Sequence, residues 1–304
     1  MVNLERRVVI LGAAGMLGHA LSEIFPKASL LDFRSSEKID FVDVTSLDDL
    51  STKLNEFGHE DWVINASAYT DVDGAETEEG ARSSYNLGVI GPRNLARLAL
   101  EKRFGIVHYS TAYVFNGEKG SYNELDAPSP LNNYGVHKLA GEIPILDVGG
   151  IVLRTDVLYG PNGKKSFVDA IVRKLADAPE ALEVVGDQIG SPTFTNDLAL
   201  MTKALIIRGT SGVYHAVNTG AISRAEMARF IVNYLRSPCR VMEISTEEYN
   251  AKYRNGKPTA RRPKDCSLNL VRLNNAGIIP RTWNGALTDY IQLANSTSSA
   301  AQIQ

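Results

Sequence analysis

The chain has 304 residues, 44% of them hydrophobic and 22% charged, with a formal net charge of -3. That length and apolar content suffice for a sizeable core and for two lobes. The near-neutral charge excludes the broad electrostatic attraction that a nucleic acid or an anionic membrane surface would require.

The charged opening Glu5-Arg6-Arg7, ahead of the apolar run Val8 to Leu21, superficially resembles an export leader. Three spaced glycines and the lack of a small-residue cleavage site favour strand, turn and helix instead. Along the chain, strands are expected at Arg7 to Leu11, Ser29 to Leu31, Trp62 to Asn65, Ile106 to Ser110 and Ile151 to Leu153. Between them, helical spacing relates Leu47, Leu50 and Leu54, and then Leu87, Leu95, Leu98 and Ala99. A third helix carries Tyr134 and Lys138 and is expected to stop near Pro144.

This alternation predicts an α/β fold, a Rossmann-like doubly wound parallel sheet with its ligand crevice at the carboxyl ends of the strands. After about Thr155 longer loops take over, with shorter helices at Phe167 to Ala178 and Arg224 to Leu235. The expected division is a dinucleotide-binding domain over 1–155. A smaller, mainly substrate-binding lobe over 156–304 is expected to interleave with the last elements of the sheet. The polar tail Asn295 to Gln304 is expected to fray. No apolar run approaches the length of a membrane span. Cys239 and Cys266 have neither metal-ligand spacing nor the density of a disulfide scaffold, so they read as reduced thiols suited to a cytoplasm.

Gly12-Ala-Ala-Gly15-Met16-Leu17-Gly18 follows the first strand and opens a helix. In that context Gly12 permits the tight turn, Gly15 lets the backbone approach a pyrophosphate, and Gly18 allows helix to pack on strand. The helix N-terminus offers free N–H groups to the anion. Asp32, about 20 residues on, suits the ribose of NAD, while Arg34 suits a 2'-phosphate, so both NADH and NADPH stay open. Asp43-Val44 is placed near the adenine, and the small residues Ala66, Ser67 and Ala68 let backbone lie against the cofactor.

Tyr134 and Lys138 stand one helical turn apart, after a strand ending in Ser110-Thr111. A hydride arriving at a carbonyl carbon leaves an alkoxide that needs a proton, and Tyr134 is the expected donor. An ammonium at Lys138 is expected to lower the pKa of that phenol. The same spacing recurs at Tyr253 and Lys257, but Gly256 and Pro258 argue against a shared helical face there. The five histidines form no ligand pair, His137 is expected to face away from Tyr134 and Lys138, and no metal site is read. Arg261, Arg262 and Lys264 form the densest basic cluster of the second half, suited to a diphosphate or to solvent.

Taken together, these segments resemble the dTDP-4-dehydrorhamnose reductase family of the extended short-chain dehydrogenase/reductase superfamily. The matching stretches are Gly12 to Gly18, Asn65 to Asp73 with Ala75-Glu76, Asn86, His108 to Phe115, Pro128 to Lys138 with Gly141-Glu142, Leu153 to Thr155, Asp187 to Thr193, and Arg262-Pro263 with Ser267-Leu268. The resemblance implies NAD(P)H-dependent reduction of the C4 ketone of a nucleotide-linked 4-keto-6-deoxy sugar, dTDP-4-dehydro-L-rhamnose foremost. It implies that Lys138 binds the nicotinamide ribose, that Asn86 lies at the cofactor and supports Lys138 through water, and that Tyr69, Thr111, Gln188 and Arg262 face the substrate. A nucleotide sugar is then the partner, with neither nucleic acid nor membrane, and a homodimer is compatible with the chain.

Two positions depart from the family pattern. Ala112 replaces the Asp that commonly follows the Ser-Thr pair, and Asp156-Val157 replaces a common aromatic residue. Related 4,6-dehydratases carry Asp-Glu where this chain has Ala112-Tyr113, so dehydration lacks its acid and base. The alternatives carried forward are a non-catalytic subunit resembling the methionine adenosyltransferase β subunit, and a nucleotide-sugar epimerase of the same fold.

Overall fold

A computed structural model describes residues 7–163 and 166–301. The expectations placed on Glu5, Arg6 and residues 302–304 lie outside the described residues. The chain alternates β1 (Val8–Leu11), α1 (Met16–Ile24), β2 (Ser29–Asp32), β3 (Asp40–Phe41), α2 (Leu47–Lys53), β4 (Trp62–Asn65), α3 (Glu78–Tyr85), α4 (Gly91–Lys102), β5 (Gly105–Thr111), α5 (Asn133–Asp147) and β6 (Ile151–Thr155). A seventh strand, Gly212–His215, completes the sheet from the second half of the chain. The order across it is Gly212–His215, β6, β5, β4, β1, β2, β3, with every neighbouring pair parallel.

The chain starts in the middle of the sheet, at β1, runs outward through β2, and returns to the other side through β4. The strand direction of travel therefore reverses between β1 and β4, where a doubly wound sheet opens its ligand crevice. Alternate residues of each strand serve opposite faces. Val9 and Leu11 join Val63, Leu95, Leu98, Ile106 and Ile145 on one side. Ile10 joins Leu17, Leu21, Ile64, Val107, Leu198 and Met201 on the other. The second face is covered by α1 together with α7 (Thr195–Ile207), so the late part of the chain supplies both a strand and a helix to this layer. A separate apolar cluster gathers Tyr159, Val168, Phe194, Met227, Ile231, Leu287 and Tyr290, drawing on α6 (Phe167–Ala176) and α8 (Arg224–Tyr234).

Several boundaries differ from expectation. Helix α5 runs through Pro144 to Asp147; the ring removes one backbone donor, but Ile145 beyond it is fully buried and holds the last turn in place. Leu87 does not belong to α4 but to a π-turn, Asn86–Ile90, joining α3 to α4. Helix α6 stops at Ala176, and Ala178 has turned to a φ of 48°. The last helix, Trp283–Ala301, continues through most of the segment expected to fray. Tyr253 closes the helix Thr246–Tyr253 and Lys257 lies past Gly256, at φ 76°, so the duplicate pair shares no helical face. Among the described residues no helix is long and apolar enough to cross a membrane.

Candidate active site

The glycine turn is shaped by close approach of backbone to backbone. Gly12 has φ 79°, and a Cβ there would come within 2.5 Å of the Ser67 backbone nitrogen. A Cβ on Gly18 would drive into the Gly12 carbonyl oxygen, so α1 sits directly on the turn. Gly15 is the N-cap of α1 and offers no side chain to its first amides, which leaves them available to an anion. These features fit a dinucleotide pyrophosphate. Met16 packs beneath Gly163, while Leu17 is buried in the core.

Asp32 is buried and already engaged. One oxygen accepts the Ala14 amide at 3.0 Å and the other the Arg34 amide at 2.8 Å, bracing the turn. The Arg34 guanidinium lies 3.5 Å from Asp32 and is 71% exposed at the edge of the crevice. Asp43 accepts the Thr45 amide and hydroxyl, and Val44 is buried against Gly91, so this corner is built by packing. Asn65 ends β4, accepts the Ser67 amide at 3.2 Å, and sets its own amide 3.1 Å from Nδ1 of His108. That fixes Ala66 and Ser67 beside Gly12, with Ala68 next along the chain.

Thr111 ends β5, and Tyr134 and Lys138 lie on α5. Asn132 caps that helix by accepting the Gly135 amide at 2.8 Å. Two glycines bring α5 hard against the π-turn that begins at Asn86. A Cβ on Gly141 would strike the Gly88 carbonyl, and one on Gly88 would sit 3.1 Å from His137 Cβ. Asn86 is half-buried at the start of this turn, a kind of helix defect that recurs at functional sites. His137 points to Ser84 at 3.0 Å and stands edge-on to Tyr85, away from Lys138.

The phenol is shifted opposite to expectation. Burial pushes Tyr134 up to about 12, and its hydrogen-bonding interaction with Thr111 offsets only part of that. Lys138, 4% exposed, is brought down to about 8 by burial, against which Glu142 one turn further on pulls upward. Desolvation thus outweighs the mutual support expected of the pair. Behind them, Glu142 accepts the Ser110 hydroxyl and is clasped by Arg154 of β6.

Next to Tyr134 a small cavity is lined by Tyr113, Asp156, Val157, Gln188, Arg224 and Cys266. Tyr113 stands edge-on to Tyr134, with ring centroids 6.3 Å apart. Asp156 accepts the Val157 amide at 2.9 Å and the Ser191 amide at 2.8 Å, and burial raises its pKa to about 6. Gln188 donates to the Thr246 hydroxyl at 2.9 Å. Tyr69 takes another course: its hydroxyl lies against Gly74 and Gly80, and it hydrogen-bonds none of Thr111, Tyr134 or Arg262 among the described residues. Arg262 is ion-paired to Asp73. Sequence reasoning missed Arg224 and Cys266 as cavity walls and Arg254 as a second partner of Asp73. No local signal marked them, because each meets its partner across a long stretch of chain.

The family model described as "RmlD substrate binding domain" matches residues 6–296. A dTDP-4-dehydrorhamnose reductase of Mycobacterium tuberculosis is 34% identical, over 98% of this chain and 97% of its own length. A dTDP-4-keto-6-deoxy-D-glucose reductase of Streptomyces niveus is also 34% identical, over 96% and 99%. The crystal structure of a dTDP-4-dehydrorhamnose reductase from Bacillus anthracis in complex with NADP is 33% identical. It superimposes with a TM-score of 0.80, covering 94% of this chain and 98% of that one. Likeness that runs nearly end to end, over a glycine turn and a Thr-Tyr-Lys site of this geometry, makes the chain a member of the dTDP-4-dehydrorhamnose reductase family.

Proposed function

We infer that the protein is an NAD(P)H-dependent reductase of the C4 ketone of a nucleotide-linked 4-keto-6-deoxy sugar, converting dTDP-4-dehydro-L-rhamnose to dTDP-L-rhamnose. What supports this reading most is the hydrogen bond between Thr111, at the carboxyl end of β5, and Tyr134, with Lys138 one helical turn on, in a sheet whose first turn suits a pyrophosphate. When bound, the reduced nicotinamide supplies the hydride.

The residues of this chain do the rest. Thr111 orients the carbonyl oxygen through its hydroxyl. Tyr134 delivers a proton to that oxygen as negative charge grows on it; an alkoxide is a stronger base than a phenolate, so a phenol held at about 12 still donates downhill. Lys138, dry and positively charged below about pH 8, would hold the ribose hydroxyls of the bound cofactor and would favour the phenolate that donation leaves on Tyr134. Ala112 is fully buried and carries no acid or base, and burial keeps the Tyr113 proton in place. Simple ketone reduction therefore fits the site, while Ala112 and Tyr113 lack the paired carboxyl groups that related dehydratases use there. The two buried, free cysteines support a reducing, cytoplasmic setting.

The test follows NADPH and NADH consumption with dTDP-4-keto-L-rhamnose, comparing wild type with Tyr134→Phe. Loss of the donor should lower kcat by about 100-fold or more. Tight cofactor binding without turnover of any 4-keto-6-deoxy sugar nucleotide overturns the reading, and recovery of one stoichiometric enzyme partner would then favour a regulatory subunit.

A further inference from the structure

Asp73 follows the cofactor-side segment that leaves β4, yet its partners come from far along the chain. One carboxylate oxygen accepts Arg262 Nη1 at 2.6 Å and the Ala260 amide at 3.0 Å, and the other pairs with Arg254. Burial pushes this carboxyl up, but Arg262, Ala260 and Arg254 together outweigh it and hold it below its ordinary value, so it stays ionised.

The residues on either side of Asp73 tie it to the catalytic helix. Glu76 accepts the Asn133 amide at 2.9 Å, at the first turn of α5, and the Asn133 side chain returns to the Ala75 carbonyl at 3.1 Å. Asn132, the N-cap of α5, donates to the Arg261 carbonyl at 2.9 Å. Residues 260–262 are thus pinned to the start of α5 from two directions, by Asn132 and by Asp73. Arg262 is placed beside Tyr113, which stands against Tyr134.

Two guanidiniums on one carboxylate leave a surplus positive charge, with donors on both arginines still to be met. A single planar fork is matched to phosphate oxygens, and two forks held at fixed spacing suit a pair of bridged phosphates better than one. We propose that Asp73 is a positioning residue that aligns Arg254 and Arg262 as a paired clasp for the diphosphate of the substrate. The proposal rests on the nucleotide-sugar reading above. It also explains why an anion stands where an anionic ligand must bind: Asp73 orients the forks at the cost of part of their field.

That trade gives the test its sign. Wild type, Asp73→Asn and Arg254→Met are titrated calorimetrically with dTDP and with dTMP, in the presence of saturating NADPH. Positioning predicts that Asp73→Asn weakens dTDP about tenfold while shifting dTMP less than twofold, as loss of charge-assisted alignment would. Arg254→Met should weaken dTDP about fivefold on the same ground. In turnover, the loss in Asp73→Asn should fall on KM more than on kcat. Unchanged or tighter dTDP binding in Asp73→Asn overturns the proposal, since field alone predicts tightening. Unchanged dTDP binding in Arg254→Met removes Arg254 from the clasp. The dTMP affinity reports an intact fold in each variant, so a collapse of both affinities counts as structural damage and against a positioning role. Wild type that binds dTDP no better than dTMP overturns this proposal, and if it also fails to turn over the keto sugar, the underlying reading falls with it.

Discussion

Glu142 and Arg154 form a two-pronged ion pair between α5 and β6, through Nε at 3.0 Å and Nη2 at 2.7 Å, with the two side chains only 2% and 4% exposed. Arg154 also lies 5.1 Å from the centre of the Phe115 ring, and Glu142 holds the Ser110 hydroxyl next to Thr111. The ion pair fixes α5 against β6, and the bond from Ser110 ties the same carboxylate to β5, the strand that ends in Thr111. Replacing one member leaves a charge buried without its counterion, which costs about 3 kcal/mol or more. Glu142→Gln is accordingly expected to lower unfolding free energy by about that amount in urea melts. A loss under about 1 kcal/mol would show that Arg154 finds another anion or water.

The same carboxylate bears on the pH profile. Lys138 has its pKa brought down to about 8 by burial, so it loses its charge as pH rises through that value. Tyr134, at about 12, keeps its proton throughout the range. Reductase kcat/KM should therefore fall with pH above about 8, by roughly tenfold per unit in the limit. In Glu142→Gln the upward pull on Lys138 is gone, and the alkaline limb should move to lower pH. A rate that stays level to pH 9.5 would contradict the role given to Lys138.

Arg34 is exposed at the rim of the crevice while the Asp32 carboxylate is used by the turn amides. The acidic residue is thereby turned to bracing, and the exposed guanidinium, held by a 3.5 Å contact to Asp32, is the group left to meet a 2'-phosphate. Arg34→Ala should raise the Kd for NADPH about tenfold, as loss of a charge-assisted contact does, and leave NADH within about twofold. Equal Kd values for both cofactors before and after the change would exclude this contact.

Val157 adopts φ 41°, a left-handed conformation that β-branched residues avoid. Asp156 accepts its amide and the Thr193 amide donates to its carbonyl at 3.1 Å, so the strain is held by hydrogen bonds on both sides. Glycine accepts this conformation freely. Val157→Gly should stabilise the fold by about 1 kcal/mol in thermal or urea melts while impairing turnover, because the strained residue lines the cavity next to Tyr134. A destabilised Val157→Gly would mean that packing of its methyl groups outweighs the backbone term.

Much of this arrangement was legible in the chain. The inner strands of a parallel sheet are buried on both faces, so β1, β4, β5 and β6 stand out as short apolar runs, and the glycine turn is marked by its position after the first of them. Thr111, Tyr134 and Lys138 could be placed because each lies at or just after a strand end. The strand Gly212–His215 escaped notice because it opens on glycine, ends on histidine, and takes its identity from pairing with β6. Asp73 was visible as a letter in a motif, but its two arginines lie 181 and 189 residues further on, and no local periodicity links them. The direction of the Tyr134 shift was misjudged for a different reason: spacing along a helix reveals which charges are near, whereas the balance against desolvation depends on burial from the whole fold.

The late arrival of Gly212–His215 and α7 has a bearing on how the protein is made and cut. The cofactor half is not a self-sufficient piece of chain, since its outer strand and the cover over Leu17 and Leu21 are synthesised only after β6 has emerged. A fragment ending at Thr155 would present the unpaired rim of β6 and a bare apolar face on α1, and such a rim is a template for strands of other molecules. Until residue 215 has left the ribosome, the nascent chain carries that hazard.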